Sequence, residues 1–230
     1  VSDSLDGYQL FFDEFIKERK QELFDFGLNA IVKIDKDIAE QEWKNLKHRL
    51  YENQPVFIRR YGRNDISRSL FLQMNEYLFG NENIENDRTN NANPRKLIEK
   101  LTGYAKSNKS KLKRIRNFQV SHVFGRTKNP LAFTAPWNIV YLPKIFDPFT
   151  GHEAKGDEVI EFTKQFQKKR FEEFADMVHE FNMIMEESVS SKLETGIQHI
   201  AEVNELNEKQ KKLFAKSVYS EFSLIQPEKQ

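Results

Sequence analysis

Cysteine is absent from all 230 residues. That excludes disulfides, thiolate zinc sites and cysteine nucleophiles, and leaves any bound metal to imidazole and oxygen ligands. Nothing demands an oxidising compartment, so a reducing cytoplasm is the expected location. Long apolar runs are missing as well. No stretch approaches 18 uncharged apolar residues, so neither a transmembrane helix nor a membrane partner is expected. The opening Val1-Ser2-Asp3-Ser4 has no basic segment leading into an apolar one, and no signal peptide is read there. No internal repeat of about 20–50 residues is found.

The most informative absence is of acid. Residues 101–146 hold 9 basic side chains and no acidic one, where the chain average would place about seven acids. The flanks are the reverse: residues 1–100 carry 16 basic and 18 acidic side chains, and residues 147–230 carry 11 and 17. The net charge of +1 hides this division. A polyanion is the natural partner of an acid-free segment, although a lysine-rich solvated loop has the same composition.

What is present describes a globular chain: 38% hydrophobic and 31% charged residues, enough to bury a core as one large domain or two small ones. The first hundred residues read as helical. Tyr8, Phe11, Phe12, Phe15 and Ile16 recur as one helical face would, and Gly27 is a plausible stop. A second helix is expected from about Asp37 to Tyr51, broken by Gln54-Pro55, then a short strand from Val56 through Tyr61 and a third helix holding Leu70, Phe71, Met74 and Leu78. The Asn-rich residues 81–94 have little to bury and form the best internal boundary.

A short helix then leads into the basic stretch. Phe118 to Phe124 alternates like a strand, and Asn138 to Leu142 makes a second, closed by Pro143. Four prolines between 130 and 148 exclude a long helix there. From Asp157, a fair N-cap, a 3.6-residue period runs for some thirty residues through Val159, Phe162, Phe166, Phe174, Phe181 and Val189. Unbroken, that helix would reach roughly 45–50 Å, long enough to pack against a twin. Gly196 is a point where the next helix could bend, and Asn207-Glu208-Lys209-Gln210 reads as a capping box for a last helix.

Two short strands, a joining loop and a helix make a ββα unit. It carries Ser121-His122 in its first strand, Asn138 at the start of its second, then Asp147 and Gly151-His152-Glu153. Residues 117–153 resemble the His-Asn-His (HNH) endonucleases of the ββα-metal class. The resemblance covers about a sixth of the chain and says nothing about residues 1–100. It implies an α+β, predominantly α-helical protein with a small ββα-metal core. Three regions follow: a helix-rich N-terminal region, 1–104, suited to recognition; the basic arm and nuclease-like core, 105–155; and a helical C-terminal region, 156–230.

The implied activity is metal-dependent endonucleolytic cleavage of double-stranded DNA, of restriction type, with a homodimer suited to palindromic sites. Phosphodiester hydrolysis needs an activated water, a cation on the phosphate and help for the leaving oxygen. By resemblance His122 is the general base and Asn138 holds the loop that orients it. His152 is a metal ligand, with Asp147 or Glu153 as a further one, for Mg²⁺ or Mn²⁺. The sequence departs from the family at Ser121, where many members place an Asp that binds the metal. Lys109, Lys111, Lys113, Arg114 and Arg116 form a backbone-tracking patch, and Arg126 and Lys128, between the strands, are expected to clamp phosphate.

Other readings stay open at this level. His122 lies on the apolar face of its strand with Phe118, Val120 and Phe124 and could be a satisfied core histidine. The chain could then be a catalytically degenerate nucleic-acid-binding or interaction module, or a helical regulatory protein whose basic stretch binds an acidic partner.

Overall fold

The computed structural model describes residues 6–60, 68–108, 110–150 and 154–226. Helix α1 (Gly7–Phe11) starts where the Asp6 carboxylate accepts from the N–H groups of Tyr8 and Gln9. It passes into a π-turn, Phe12–Ile16, and a 3₁₀ turn, Lys17–Arg19. The expected face is therefore formed only in part: Phe12 is buried and Tyr8 and Ile16 pack on the core, but Phe15 is 76% exposed. The wider and tighter turns break the 3.6-residue phase on which that expectation rested.

Helix α2 (Lys20–Asn29) runs through Gly27, which does not stop it. A Cβ there would lie 2.6 Å from the ring of Phe146. The glycine serves close packing of helix on ring rather than termination. Helix α3 (Lys36–Tyr51) is capped by Asp35 and buries Ala39, Trp43, Leu46 and Leu50, one stripe at helical spacing.

Strand β1 (Val56–Ile58) is shorter than the sequence suggested. Instead of extending the strand, Arg59 donates its N–H to the carbonyl of Thr127 at 2.8 Å. Helix α4 (Arg68–Phe79) follows, and β2 (Ile84–Asn86) pairs with β1 in parallel, Val56 opposite Ile84. The Asn-rich stretch is thus no loose boundary. The Asn81 amide is buried and donates to the carbonyls of Arg49, Leu50 and Gln54. Buried Asp87 accepts from the N–H groups of Thr89, Ala92 and Asn93 and from the Asn93 amide. That carboxylate holds the start of α5 (Ala92–Thr102). Short polar side chains here replace missing strand and helix partners, work that composition alone does not reveal.

Strands β3 (Tyr104–Ala105) and β4 (Lys113–Arg114) pair in parallel. Strands β5 (Phe118–His122) and β6 (Ile139–Pro143) form an antiparallel pair with Phe118 opposite Pro143 and His122 opposite Ile139. Their connection holds one short helix, α6 (Pro130–Phe133). Helix α7 (Asp157–Glu173) is capped by Gly156, with Asp157 in its first turn.

The expected thirty-residue helix is broken at Phe174, where φ is −127° and ψ 34°. It resumes as α8 (Ala175–Ile184), passes through a π-turn, Met185–Val189, and continues as α9 (Ser190–Val203). The period survives because each segment packs on the same core, but the rod expected to meet a twin does not exist. Gly196 leaves α9 continuous; a Cβ there would lie 2.8 Å from the Tyr77 ring of α4. Helix α10 (Glu208–Glu221) opens with the capping box of Asn207 and Gln210, both bonds 3.0 Å.

The protein is α+β and mainly helical, and among the described residues each sheet is a pair of strands. A single buried apolar cluster reaches from Phe12 to Ile225 and draws on all three of the regions distinguished in the sequence. Among the described residues no helix is long and apolar enough to cross a membrane.

Burial alone would raise the Asp87 carboxyl, but its bonds from Asn93, Ala92 and Thr89 outweigh that and hold it below the ordinary 3.8. A depressed carboxyl stabilises the fold above its unfolded value, and the contribution fades as pH falls through the folded one. Asp87→Asn is expected to cost about 1–3 kcal/mol at neutral pH. Urea denaturation should show the gap to the wild type closing below about pH 4.

Candidate functional site

Four of the candidate residues, His122, Asn138, Arg126 and Lys128, lie at the β5–β6 connection. The main obstacle to such a connection is its own backbone, whose polar groups must be satisfied inside the protein. Asn138, fully buried, supplies the partners. Its Oδ1 accepts from the N–H of Phe124 at 2.8 Å. Its Nδ2 donates to the carbonyls of Gly125 and Ala132, both at 2.9 Å. Its own carbonyl accepts from Val123 at 2.9 Å. One residue thus ties the first turn of the connection to α6.

That tie fixes Phe133, the last residue of α6. The Phe133 carbonyl stands 3.0 Å from Nε2 of His122, and the two rings stack with centroids 5.4 Å apart. A carbonyl oxygen can only accept, so Nε2 carries a proton. In a neutral imidazole the lone pair then lies on Nδ1. His122 is 5% exposed, so the ring is also a packed part of the core. Ser121 is buried beside it.

Helix α7 lies on this hairpin. Gln167 donates to the carbonyl of Val123 at 3.1 Å. Arg170, 1% exposed, donates through Nη2 to the carbonyls of Pro136 at 3.1 Å and Ile139 at 3.4 Å, the two sides of Trp137-Asn138. Its Nη1 pairs with Glu173 at 2.7 Å, and the guanidinium lies over the Phe174 ring at 4.2 Å. Burial lowers the Arg170 pKa and Glu173 opposes the shift. Sequence reasoning missed Arg170, because an arginine in a helix of mixed charge gives no local sign that it turns inward.

Arg126 and Lys128 are not placed as phosphate clamps. The Arg126 guanidinium donates to the carbonyls of Phe124, Ser223 and Leu224 and to the Ser223 hydroxyl. Burial pushes its pKa down to about 10, with Glu221 pulling it back up. Lys128 is buried, its ammonium 3.3 Å from the Arg60 carbonyl and over the Phe71 ring, and its N–H donates to Glu221 at 2.8 Å. The Arg126 guanidinium and the Lys128 N–H fasten the connection to the C-terminal part of the chain, while the Lys128 ammonium turns to Arg60 and Phe71. That reversal of roles depends on residues almost a hundred positions away, which the local pattern between the strands cannot show.

The arm keeps its expected character: Lys111, Lys113, Arg114 and Arg116 are exposed. Lys109 lies outside the described residues, as do His152 and Glu153. Asp147 is half-buried in the 3₁₀ turns after β6, whereas His122 pairs with the first residue of that strand. The hairpin register therefore does not bring Asp147 to His122. Among the described residues no group of three or more His, Asp or Glu side chains converges as a metal site. These residues contribute Asp147 alone to the expected donor set.

Residues 34–227 match the profile of a family described as Uncharacterised protein PM1201. A relative from Pasteurella multocida (strain Pm70), Uncharacterized protein PM1201, is 39% identical over 226 residues, which cover 96% of this chain and 97% of the relative. No solved structure matches.

The hydrogen bonds of Asn138 set the cost of losing it. Asn138→Ala strands the Phe124 N–H and the carbonyls of Gly125 and Ala132, at about 1–3 kcal/mol for each buried group left without a partner. The variant is expected to lose about 3 kcal/mol or more in urea denaturation. Asn138→Asp keeps the acceptor, loses both donors and should not recover the loss. A loss under about 1 kcal/mol would mean the connection is held by other groups.

Proposed function

We propose, for a chain that belongs to the PM1201 family, cleavage of double-stranded DNA by an HNH-type hydrolysis in which His122 is the general base. The observation that supports this most is the bond between His122 Nε2 and the Phe133 carbonyl. In a neutral imidazole it puts the lone pair on Nδ1, the form that a general base requires. Asn138 acts one step removed, holding α6 so that the carbonyl meets the ring. Gln167 and Arg170 keep α7 on the hairpin. The exposed cations of the arm track the phosphate backbone. The reading places the protein in the cytoplasm, in keeping with a cysteine-free chain.

A divalent cation, Mg²⁺ or Mn²⁺, would supply charge stabilisation at the phosphate. Of the ligands that the resemblance implies, His152 lies outside the described residues and Asp147 stands beyond the far end of the hairpin from His122, so the described residues do not fit a cation at His122 and no step is derived through it. A homodimer on a two-fold DNA site accords with restriction-type cleavage but would need a contact other than the single long helix expected from the sequence.

A second reading, a nucleic-acid-binding module without cleavage, is favoured by the burial of His122 and by Ser121 at its side. One experiment separates the two. Purified protein is incubated with genomic and plasmid DNA in Mg²⁺ or Mn²⁺ and in excess chelator. Cation-dependent cleavage is expected. His122→Gln, which can still donate to the Phe133 carbonyl, should retain DNA binding and cut about 10²–10⁴ times more slowly. A variant cutting at the wild-type rate would remove His122 from the chemistry. Binding without cleavage in either cation would establish the second reading.

A further inference from the structure

The hairpin has a second end, and cations from three elements meet there. Lys144 directly follows β6, and its N–H donates to the Asn117 carbonyl at 2.9 Å, which sets it beside the entry of β5 and next to exposed Arg116. Lys106 directly follows β3, whose Tyr104 carbonyl lies 3.5 Å from the Tyr141 hydroxyl of β6. Arg95 stands in the first turn of α5, packed on the same strand. All three side chains are exposed.

They also feel one another. Burial, then Lys144, then Arg95 hold the Lys106 ammonium below its ordinary pKa, and Asp147 alone among the acting groups pulls it back. Cations gathered from separate elements repel one another, a cost that surface side chains usually avoid by pointing apart. An anion with several charges removes the cost and turns the cluster into a binding site. Lys106 and Lys144 belong to the acid-free window and, like the arm, face outward, whereas Arg126 and Lys128 of the same window are turned inward.

Geometry gives the site a place relative to His122. Lys144 lies beyond the end at which Phe118 faces Pro143, while His122 faces Ile139 at the other. The four strand steps between Phe118 and His122 span about 14 Å at roughly 3.4 Å each. We propose that Arg95, Lys106 and Lys144 form an anchor for the phosphate backbone of duplex DNA, one hairpin length from His122. The anchor rests on the DNA-cleaving reading for its partner, and none of its three residues takes part in the chemistry.

Binding tests this apart from cleavage. Fluorescence anisotropy is followed with a mixed-sequence DNA duplex in chelator, over a series of salt concentrations. The triple variant Arg95→Gln/Lys106→Gln/Lys144→Gln should bind more weakly. Its slope of log K against log salt should be shallower by about 0.9 for each phosphate that is no longer neutralised, about 2.7 for three. The charge-keeping triple Arg95→Lys/Lys106→Arg/Lys144→Arg should retain the wild-type slope, which separates charge from any loss of fold. His122→Gln should retain both affinity and slope. The anchor is overturned if wild-type protein does not bind the duplex, if the Gln triple keeps the wild-type slope, or if the charge-keeping triple loses it equally. An unchanged slope in the Gln triple with cation-dependent cleavage intact removes the anchor alone, whereas the expected slopes with no cleavage in either cation keep the anchor and remove the cleavage reading.

Discussion

The buried amide of Asn138 is the constraint on which the centre of this protein depends. A connection between two antiparallel strands that passes through the interior must satisfy its own N–H and C=O groups without water. Here one side chain and one carbonyl meet four of those needs, at Phe124, Gly125, Ala132 and Val123. The arrangement of α6, the carbonyl of Phe133 and the ring of His122 follows from it. Net stabilisation from each bond is modest, but an unmade bond in this environment is costly, so the network specifies one geometry more than it adds strength.

Two further fastenings close around that network from distant parts of the chain. Arg170 of α7 reaches the carbonyls on either side of Trp137-Asn138. The segment after α10 meets Arg126 through Ser223 and Leu224, while Glu221 receives the N–H of Lys128 and its carbonyl accepts from Asn129. Buried charges of this kind rarely add net stability over well-packed apolar groups, because their desolvation offsets their attraction. Their value is registration: α10, α7 and the hairpin can meet in one way. The same fastening divides the acid-free window into inward cations at 126 and 128 and outward cations along the arm and at Lys106 and Lys144.

Much of the local structure is legible in the sequence. Helix α3 lies within a residue of where its apolar spacing puts it, and the capping box before α10 forms from the residues that suggested it. Strand β5 falls within its expected segment, and β6 is shifted by one residue to take in Pro143. The misreadings share a cause. Gly27 looks like a helix stop and Gly196 like a point of bending, but both are places where an aromatic ring presses on the backbone. The Asn-rich stretch looks like a linker, but Asn81 and Asp87 spend their polarity on backbone groups of other elements. The aromatic run at 8–16 loses its phase in a π-turn.

By itself the sequence determined which segments could be helix or strand, where acid was excluded, and that His122 and Asn138 would flank one connection. Those properties are local: side-chain periodicity records which face meets water, and prolines forbid particular dihedrals, whatever the remainder of the chain does. Only the tertiary structure decided which nitrogen of His122 is protonated, whether Arg126 faces solvent or the chain terminus, and that α7 ends at Phe174. Each of those outcomes depends on a partner brought close by folding, such as the Ser223 hydroxyl, 97 positions from the guanidinium it meets. A cation's sequence neighbours fix its charge, whereas the groups folded against it decide whether that charge is spent inside the protein or offered to a ligand.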